Sequence, residues 1–220
     1  MDGGHPLSDS RSLSVKTGHE AVNILVRDHV GPWLRSKGFK RSGFRFLRWR
    51  GRNCQLIKFL TDTSDESGVT QFTLYLGVFS KALWHFESEH RPAPAAPDQP
   101  DCQWGGFLEE FVPRFRDRWF AIPNAAHVLA LSREILTVLE TEVIPHLSKV
   151  ETDEDLRDYW LTGRSPGAGK IQRLTYLAFL CHELGPKEQA RRFVDELRAE
   201  ASGTPAAERA LKKLATLSEM

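Results

Sequence analysis

Cysteine is scarce in this chain: Cys54, Cys102 and Cys181 stand far apart, and no two form a C-x-x-C pair. That excludes a disulfide scaffold or a zinc ribbon, and a reducing cytoplasm is the expected setting. No apolar run approaches the roughly 20 residues that a helix needs to cross a bilayer, so no membrane association is expected. Residues 1–16 are rich in Gly, Ser and Asp and lack the apolar centre of a secretory signal, so they read as a loose tail. A strong charge of one sign is missing too, since 30 Lys and Arg stand against 29 Asp and Glu. Total charge therefore gives no case for wholesale nucleic-acid or membrane binding. What remains is ordinary globular composition, 40% hydrophobic and 27% charged over 220 residues, enough to bury a core without staples.

Catalytic motifs are equally scarce. There is no H-E-x-x-H, and His182-Glu183 lacks its second histidine. G-x-S-x-G occurs once, as Gly163-Arg164-Ser165-Pro166-Gly167, but an Asp-rich helical stretch precedes it and not the strand that a nucleophile elbow needs. His85 and His90, with Glu87 and Glu89, are spaced so that the two imidazoles cannot share one helical face, and a solvated loop is expected there. The run Gly163-Arg164-Ser165-Pro166-Gly167-Ala168-Gly169-Lys170 imitates a phosphate-binding loop. Its first glycine comes one residue too early, and Ile171 stands where a hydroxyl is needed to reach magnesium. It reads as a hinge. Cys54 and Cys181 lie in apolar surroundings and read as small core residues. No catalytic residue, metal or cofactor is assigned, although a triad assembled from distant residues leaves no local signature.

Periodicity is informative. Val22, Leu25, Val26, Val30 and Trp33 recur at helical spacing from Thr17 onward, and Gly38 is a natural stop. Three strands follow, over residues 44–50, 55–61 and 69–79, with Gly51-Arg52-Asn53 as a turn. Phe72, Leu74, Leu76 and Val78 alternate cleanly with their neighbours. Short connections predict an antiparallel meander with the first helix covering one face. Four prolines, Pro92, Pro94, Pro97 and Pro100, mark an extended, poorly packed surface loop. A further strand is expected within 102–111, and residues 116–122 are ambiguous. A helix is expected over 125–139, with Pro145 as a kink or restart. From Thr152-Asp153-Glu154-Asp155, a capped start, the chain turns helical and rich in Ala, Leu, Glu, Lys and Arg. Helices are expected over 171–184, 187–201 and 205–217. The fold class is therefore α+β, an antiparallel sheet of three to five strands packed against helices. The organisation expected is a tail over 1–16, an α+β domain over 17–150 and a helical extension over 151–220.

The main physical anomaly is a run from Arg35 to Arg52 with eight cations and no acid, interleaved with Phe39, Phe44, Phe46 and Trp49. Strand alternation places Arg48 and Arg50 on one side with Trp49 opposite. The candidate binding residues are Arg41, Arg45, Arg48, Trp49, Arg50 and Arg52. Such a surface suits an acidic protein partner. It suits single-stranded nucleic acid as well. It is also what a solvated edge that resists aggregation looks like.

The segment Leu34-Arg35-Ser36-Lys37-Gly38-Phe39-Lys40-Arg41, then Gly43, Phe46 and Arg48, carries a family likeness. So do Gln55-Leu56-Ile57-Lys58-Phe59, Phe72-Thr73-Leu74-Tyr75-Leu76-Gly77-Val78, Arg118-Trp119-Phe120 and Ile144-Pro145-His146-Leu147. Together they resemble a bacterial domain-of-unknown-function family, number four-three-zero-four in its series, over residues 30–160. The resemblance implies a fold type and a bacterial, intracellular setting, and no activity. Such proteins commonly carry Asn where Tyr75 stands and Gln where Leu60 stands. Further on, Tyr176-Leu177-Ala178, Leu184-Gly185 and Ala190 resemble one tetratricopeptide-like hairpin, expected to pack on the main domain or mediate assembly. The leading expectation is a non-enzymatic protein-binding or regulatory module, with toxin immunity as one version by analogy of build. A nucleic-acid-associated protein and an unrecognised hydrolase are the competing classes.

Overall fold

A computed structural model describes residues 18–62, 69–88, 91–116, 119–185, 187–200 and 204–216. The expected tail over 1–16 and His90 with Glu89 lie outside the described residues. Helix α1 (Gly18–Ile24) passes through a π-helical turn, Leu25–Val30, into α2 (Gly31–Ser36). The cause is Pro32, which has no amide hydrogen and crowds the preceding turn. The ladder widens just before it, and the Gly31 amide bonds to the Val26 carbonyl instead. A Cβ on Gly31 would stand 2.6 Å from that carbonyl, so glycine is what lets the wide turn close. Gly38, at φ +88°, then ends the helix as expected.

The sheet comprises β1 (Lys40–Ser42), β2 (Arg45–Arg50), β3 (Asn53–Asp62), β4 (Thr70–Ser80), β5 (Trp104–Phe107) and β6 (Phe120–Ile122). All pairings are antiparallel, in the order β1-β2-β3-β4-β5, with β6 also on β4. The eleven-residue β4 holds β6 at its start, Thr70–Phe72, and β5 further along, Tyr75–Val78. The expected meander is therefore present and is extended at both sides. Within 102–111 the strand is only β5, and α4 (Leu108–Phe111) follows at once.

On one sheet face Phe46, Ile57, Phe59, Phe72, Leu74, Leu76 and Val78 are buried under the helices. The other face buries Leu47, Cys54, Leu56, Tyr75 and Phe79. Central strands apolar on both faces need two covers. The second cover is the proline segment: Ala93 and Cys102 pack on this face and Pro97 is buried. The expectation of a poorly packed loop is thus corrected. Proline suits this place because it has no amide hydrogen to leave unpaired over an apolar surface.

Helix α3 (Lys81–Glu87) follows β4, capped by the Ser80 side chain, and it carries His85 exposed on a helix where a loop was expected. Helix α5 (Val128–Val138) continues through a second π-helical turn, Leu139–Val143, into α6 (Ile144–Leu147). Here the Ile144 amide bonds to Leu139 just ahead of Pro145, repeating the device at Pro32. Helices α7 (Asp153–Leu161), α8 (Lys170–Leu184), α9 (Lys187–Glu200) and α10 (Pro205–Ala215) complete the chain. The capped start expected at Thr152 is present, and Thr152 and Asp155 complete it as a capping box. Helix α8 is buried continuously from Leu174 to Cys181, because it packs on α3 and α7 as well as on α9 and α10. Phe179 stacks on Phe86 at 4.4 Å, and Tyr159 meets Trp104 edge-on at 5.7 Å. One buried cluster runs from Ala21 to Leu214. Among the described residues no helix is long and apolar enough to cross a membrane.

Candidate functional site

The six sequence candidates separate on folding. In β2, Phe46 faces the helices, so alternation sends Arg48 and Arg50 to that covered side. Arg48 is only 6% exposed. Its Nε donates to Gln55 Oε1 at 2.8 Å and a terminal nitrogen donates to the Lys37 carbonyl at 3.1 Å. The other terminal nitrogen lies 3.5 Å from Glu151, and the guanidinium rests over the Phe39 ring at 4.5 Å. Gln55 in turn donates to the Leu147 carbonyl at 2.7 Å. Burial first, then the charge of Arg50, lowers the Arg48 pKa, with Glu151 opposing. Arg48 is therefore a brace joining α2, the sheet and the end of α6, and the expectation that it lies exposed is corrected. Arg50 keeps more solvent and sits 3.7 Å from Glu151.

Arg45 and Trp49 take the opposite face. Arg45 lies 3.4 Å from Asp98, which also accepts from Lys58 at 2.8 Å. Trp49 packs edge-on against Phe79, and the Lys81 ammonium stands 4.9 Å over its ring. Burial pushes the Asp98 carboxyl upward, but the Lys58 hydrogen bond, the Gln99 amide and the nearby cations hold it below its ordinary value of 3.8. A carboxylate depressed in this way adds stability above its unfolded pKa, and that stability is lost as pH falls through the folded value. The melting temperature is expected to fall as pH drops from about 5 toward the lowered pKa, and Asp98→Asn to fall less over the same window. Parallel melting curves of the two proteins across that range check this.

The unneutralised cations lie elsewhere. Arg41 donates to the Gly43 carbonyl at 2.8 Å within the β1–β2 turn. Its pKa is lowered first by burial, then by the charges of Arg35 and Arg27, against Asp28 alone. Asp28 is already held through both its oxygens by Nε and Nη2 of Arg27, at 2.6 and 2.7 Å. Lys40 is exposed beside this corner, and Arg52 is exposed in the turn at the far end of the hairpin. Sequence reasoning missed Arg27, which lies outside the acid-free run and joins it only through the packing of the first helix on the sheet.

A second feature is a cleft of about 410 Å³ at β5, with Tyr75, Gln99, Cys102 and Glu110 on one side and Gly167 and Gln172 on the other. Burial raises the pKa of both Tyr75 and Cys102, and the thiol of Cys54 behind them is pushed up to about 12 by the same cause. These groups stay protonated at neutral pH, which is the opposite of what a hydrolase nucleophile needs. Leu60 sits on the same face, across from Thr73 and diagonal to Tyr75, so these two positions are neighbours here. Among the described residues no group of three His, Cys, Asp or Glu side chains is placed to hold a metal ion.

The family model described as Domain of unknown function (DUF4304) matches residues 30–149. The chain belongs to that family. No curated protein and no solved structure matches it. The DUF4304 match takes in all six strands and ends after α6, whereas α7 to α10 lie beyond it. In this DUF4304 chain the cleft therefore has one wall inside the matched segment and one, Gly167 and Gln172, outside it.

Proposed function

We propose that this DUF4304 protein is a non-enzymatic binding module that docks an acidic protein partner on the corner formed by Arg35 and Arg41, with Lys40 beside it. The observation that carries the reading is Arg41, held among like charges where the acid that bears on it, Asp28, is already paired with Arg27. Cations gathered at such cost are stabilised when a partner supplies carboxylates, and complementary charge speeds encounter and sets register. Arg45, Arg48 and Arg50 drop out of the docking surface because Asp98 and Glu151 already sit beside them. Neutralisation of a cognate protein, as immunity proteins perform, is one concrete form of this role.

The test is tagged purification from the native host at moderate salt, with and without nuclease, for the wild type and for Arg35→Glu with Arg41→Glu. One stoichiometric protein that survives nuclease and is lost from the charge-reversed variant, at an unchanged melting temperature, is the expected result. Undiminished capture by the variant sinks the corner as the docking surface. Recovery that depends on nucleic acid and weakens steeply with added salt replaces the protein partner by RNA or single-stranded DNA.

A further inference from the structure

The cleft beside Tyr75 lies away from the basic corner and has chemistry of its own. Tyr75 is 7% exposed, yet the acceptor for its hydroxyl, the Gln99 carbonyl, is 3.5 Å away, at the far limit of a hydrogen bond. A buried hydroxyl so weakly satisfied has donor capacity left for a ligand. Its ring lies across Gly77 and Gly105, which face each other in the β4–β5 register, and a Cβ on either glycine would run into it. Those glycines are what allow the phenol to reach the cleft. The same cleft is lined by Glu110, whose Oε1 accepts from the Phe107 amide at 2.9 Å as part of the α4 cap. Its second oxygen has no partner among the described residues. Among the described residues Glu110 is the one carboxylate in the lining, and no Lys, Arg or His lines the cleft. The volume, about 410 Å³, is at the small end of ligand sites.

We propose that this cleft binds a small organic cation, a primary amine or guanidinium that carries a hydrogen-bond acceptor a few bonds away. The N–H groups donate to Glu110 and the acceptor receives the Tyr75 hydroxyl. An anion is disfavoured, because it would meet a carboxylate with no cation to offset it. A large ligand is excluded by the Gly167 turn, whose α-carbon faces the Gly105 carbonyl so closely that a Cβ would overlap it. Because Gln172 and Gly167 come from the helical extension, an occupied cleft ties that extension to the sheet.

The experiment titrates glycinamide, argininamide and ethanolamine into the full chain by calorimetry, with acetate and inorganic phosphate as the anionic probes. At least one amine is expected to bind and raise the melting temperature, while both anions do neither. Glu110→Gln, which keeps the cap because glutamine can accept the same amide, is expected to weaken amine binding about tenfold. Tyr75→Phe removes one oxygen and is expected to weaken it several-fold; it carries the test if Glu110→Gln melts early. The exposed control Glu154→Gln is expected to leave binding unchanged. No response to any amine overturns the proposal, as does a preference for acetate or phosphate, or amine binding indifferent to both cleft substitutions.

Discussion

Arg48→Ala is expected to cost this protein about 3–5 kcal/mol of stability, whereas Arg52→Ala, four residues on in the hairpin turn and exposed, is expected to cost under about 0.5 kcal/mol. The two arginines belong to the same acid-free run, so sequence alone treats them alike. Arg48 has its guanidinium out of water, with three acceptors and the Phe39 face arranged around it. Truncation leaves the Gln55 amide oxygen and the Lys37 carbonyl without their donor and opens a void over Phe39. Stranded buried acceptors cost more than the lost bonds alone would suggest. Lysine does not rescue the site, because a single ammonium cannot reproduce the fork that reaches Gln55, Lys37 and Glu151 together. Arg48→Met with Gln55→Leu is expected to recover part of the loss, since replacing both partners removes most of the stranded polarity. Urea unfolding with unchanged slope, read at its midpoint, measures all four proteins. Equal midpoints for Arg48→Ala and Arg52→Ala would contradict the brace.

Most of this architecture was legible in the sequence because most of it is written in periodicity. The stripe of Val22, Leu25, Val26 and Val30 is buried as read, and the three long strands lie within a residue or two of their expected bounds. Strands β1 and β6, three residues each, are too short to display an alternation. What periodicity cannot supply is which parity of a strand faces the helices. Phe46 and Leu47 are both apolar, so β2 offers a core residue to either side, and only the assembled sheet assigns Arg48 to the covered one. The acids beside Arg45, Arg48 and Arg50 were invisible for a different reason. Glu151 is 103 residues from Arg48, and Asp98 sits in a proline-rich segment whose composition resembles a free loop. The π-helical turns each precede a proline inside an otherwise regular helical pattern; the signal was read at Pro145, as a kink or restart, and went unused at Pro32. The corner around Arg41 was half legible, since Arg35 and Arg41 were in the run and Arg27 was not.

Cutting the chain after Val150 is expected to abolish cooperative folding of the segment that remains, even though it keeps every strand and the whole matched family region. The reason lies in what the last four helices touch. Trp104, fully buried, would lose the edge contact of Tyr159, and Phe86 would lose the Phe179 ring stacked on it. Fully exposing a large apolar side chain costs about 1.5–3 kcal/mol, and Leu83, Phe86 and Trp104 all lie in the cluster that Trp160, Tyr176 and Phe179 complete. Polar ties go with them: Ser80 loses Asp153 at 2.6 Å, Gln103 keeps Glu87 but Glu87 loses Tyr176, and Arg48 and Arg50 lose Glu151. Losses of that size, added together, are comparable with the whole net stability of a domain, about 5–15 kcal/mol. A truncated chain of residues 18–150 should therefore show no sharp thermal transition by circular dichroism and poor dispersion in its amide spectrum, whereas the full chain is expected to melt sharply and to be well dispersed. A sharp melt of the fragment would mean that the sheet and its first helices carry their own core. In that case the Gly167 and Gln172 wall of the cleft is a separable attachment, and the basic corner can be tested on the family segment alone. If the fragment fails to fold, the extension is part of the structural unit on which any binding by the DUF4304 segment depends, because Glu151 pairs Arg48 and the helices after it bury Phe86 and Trp104 in the core the sheet shares.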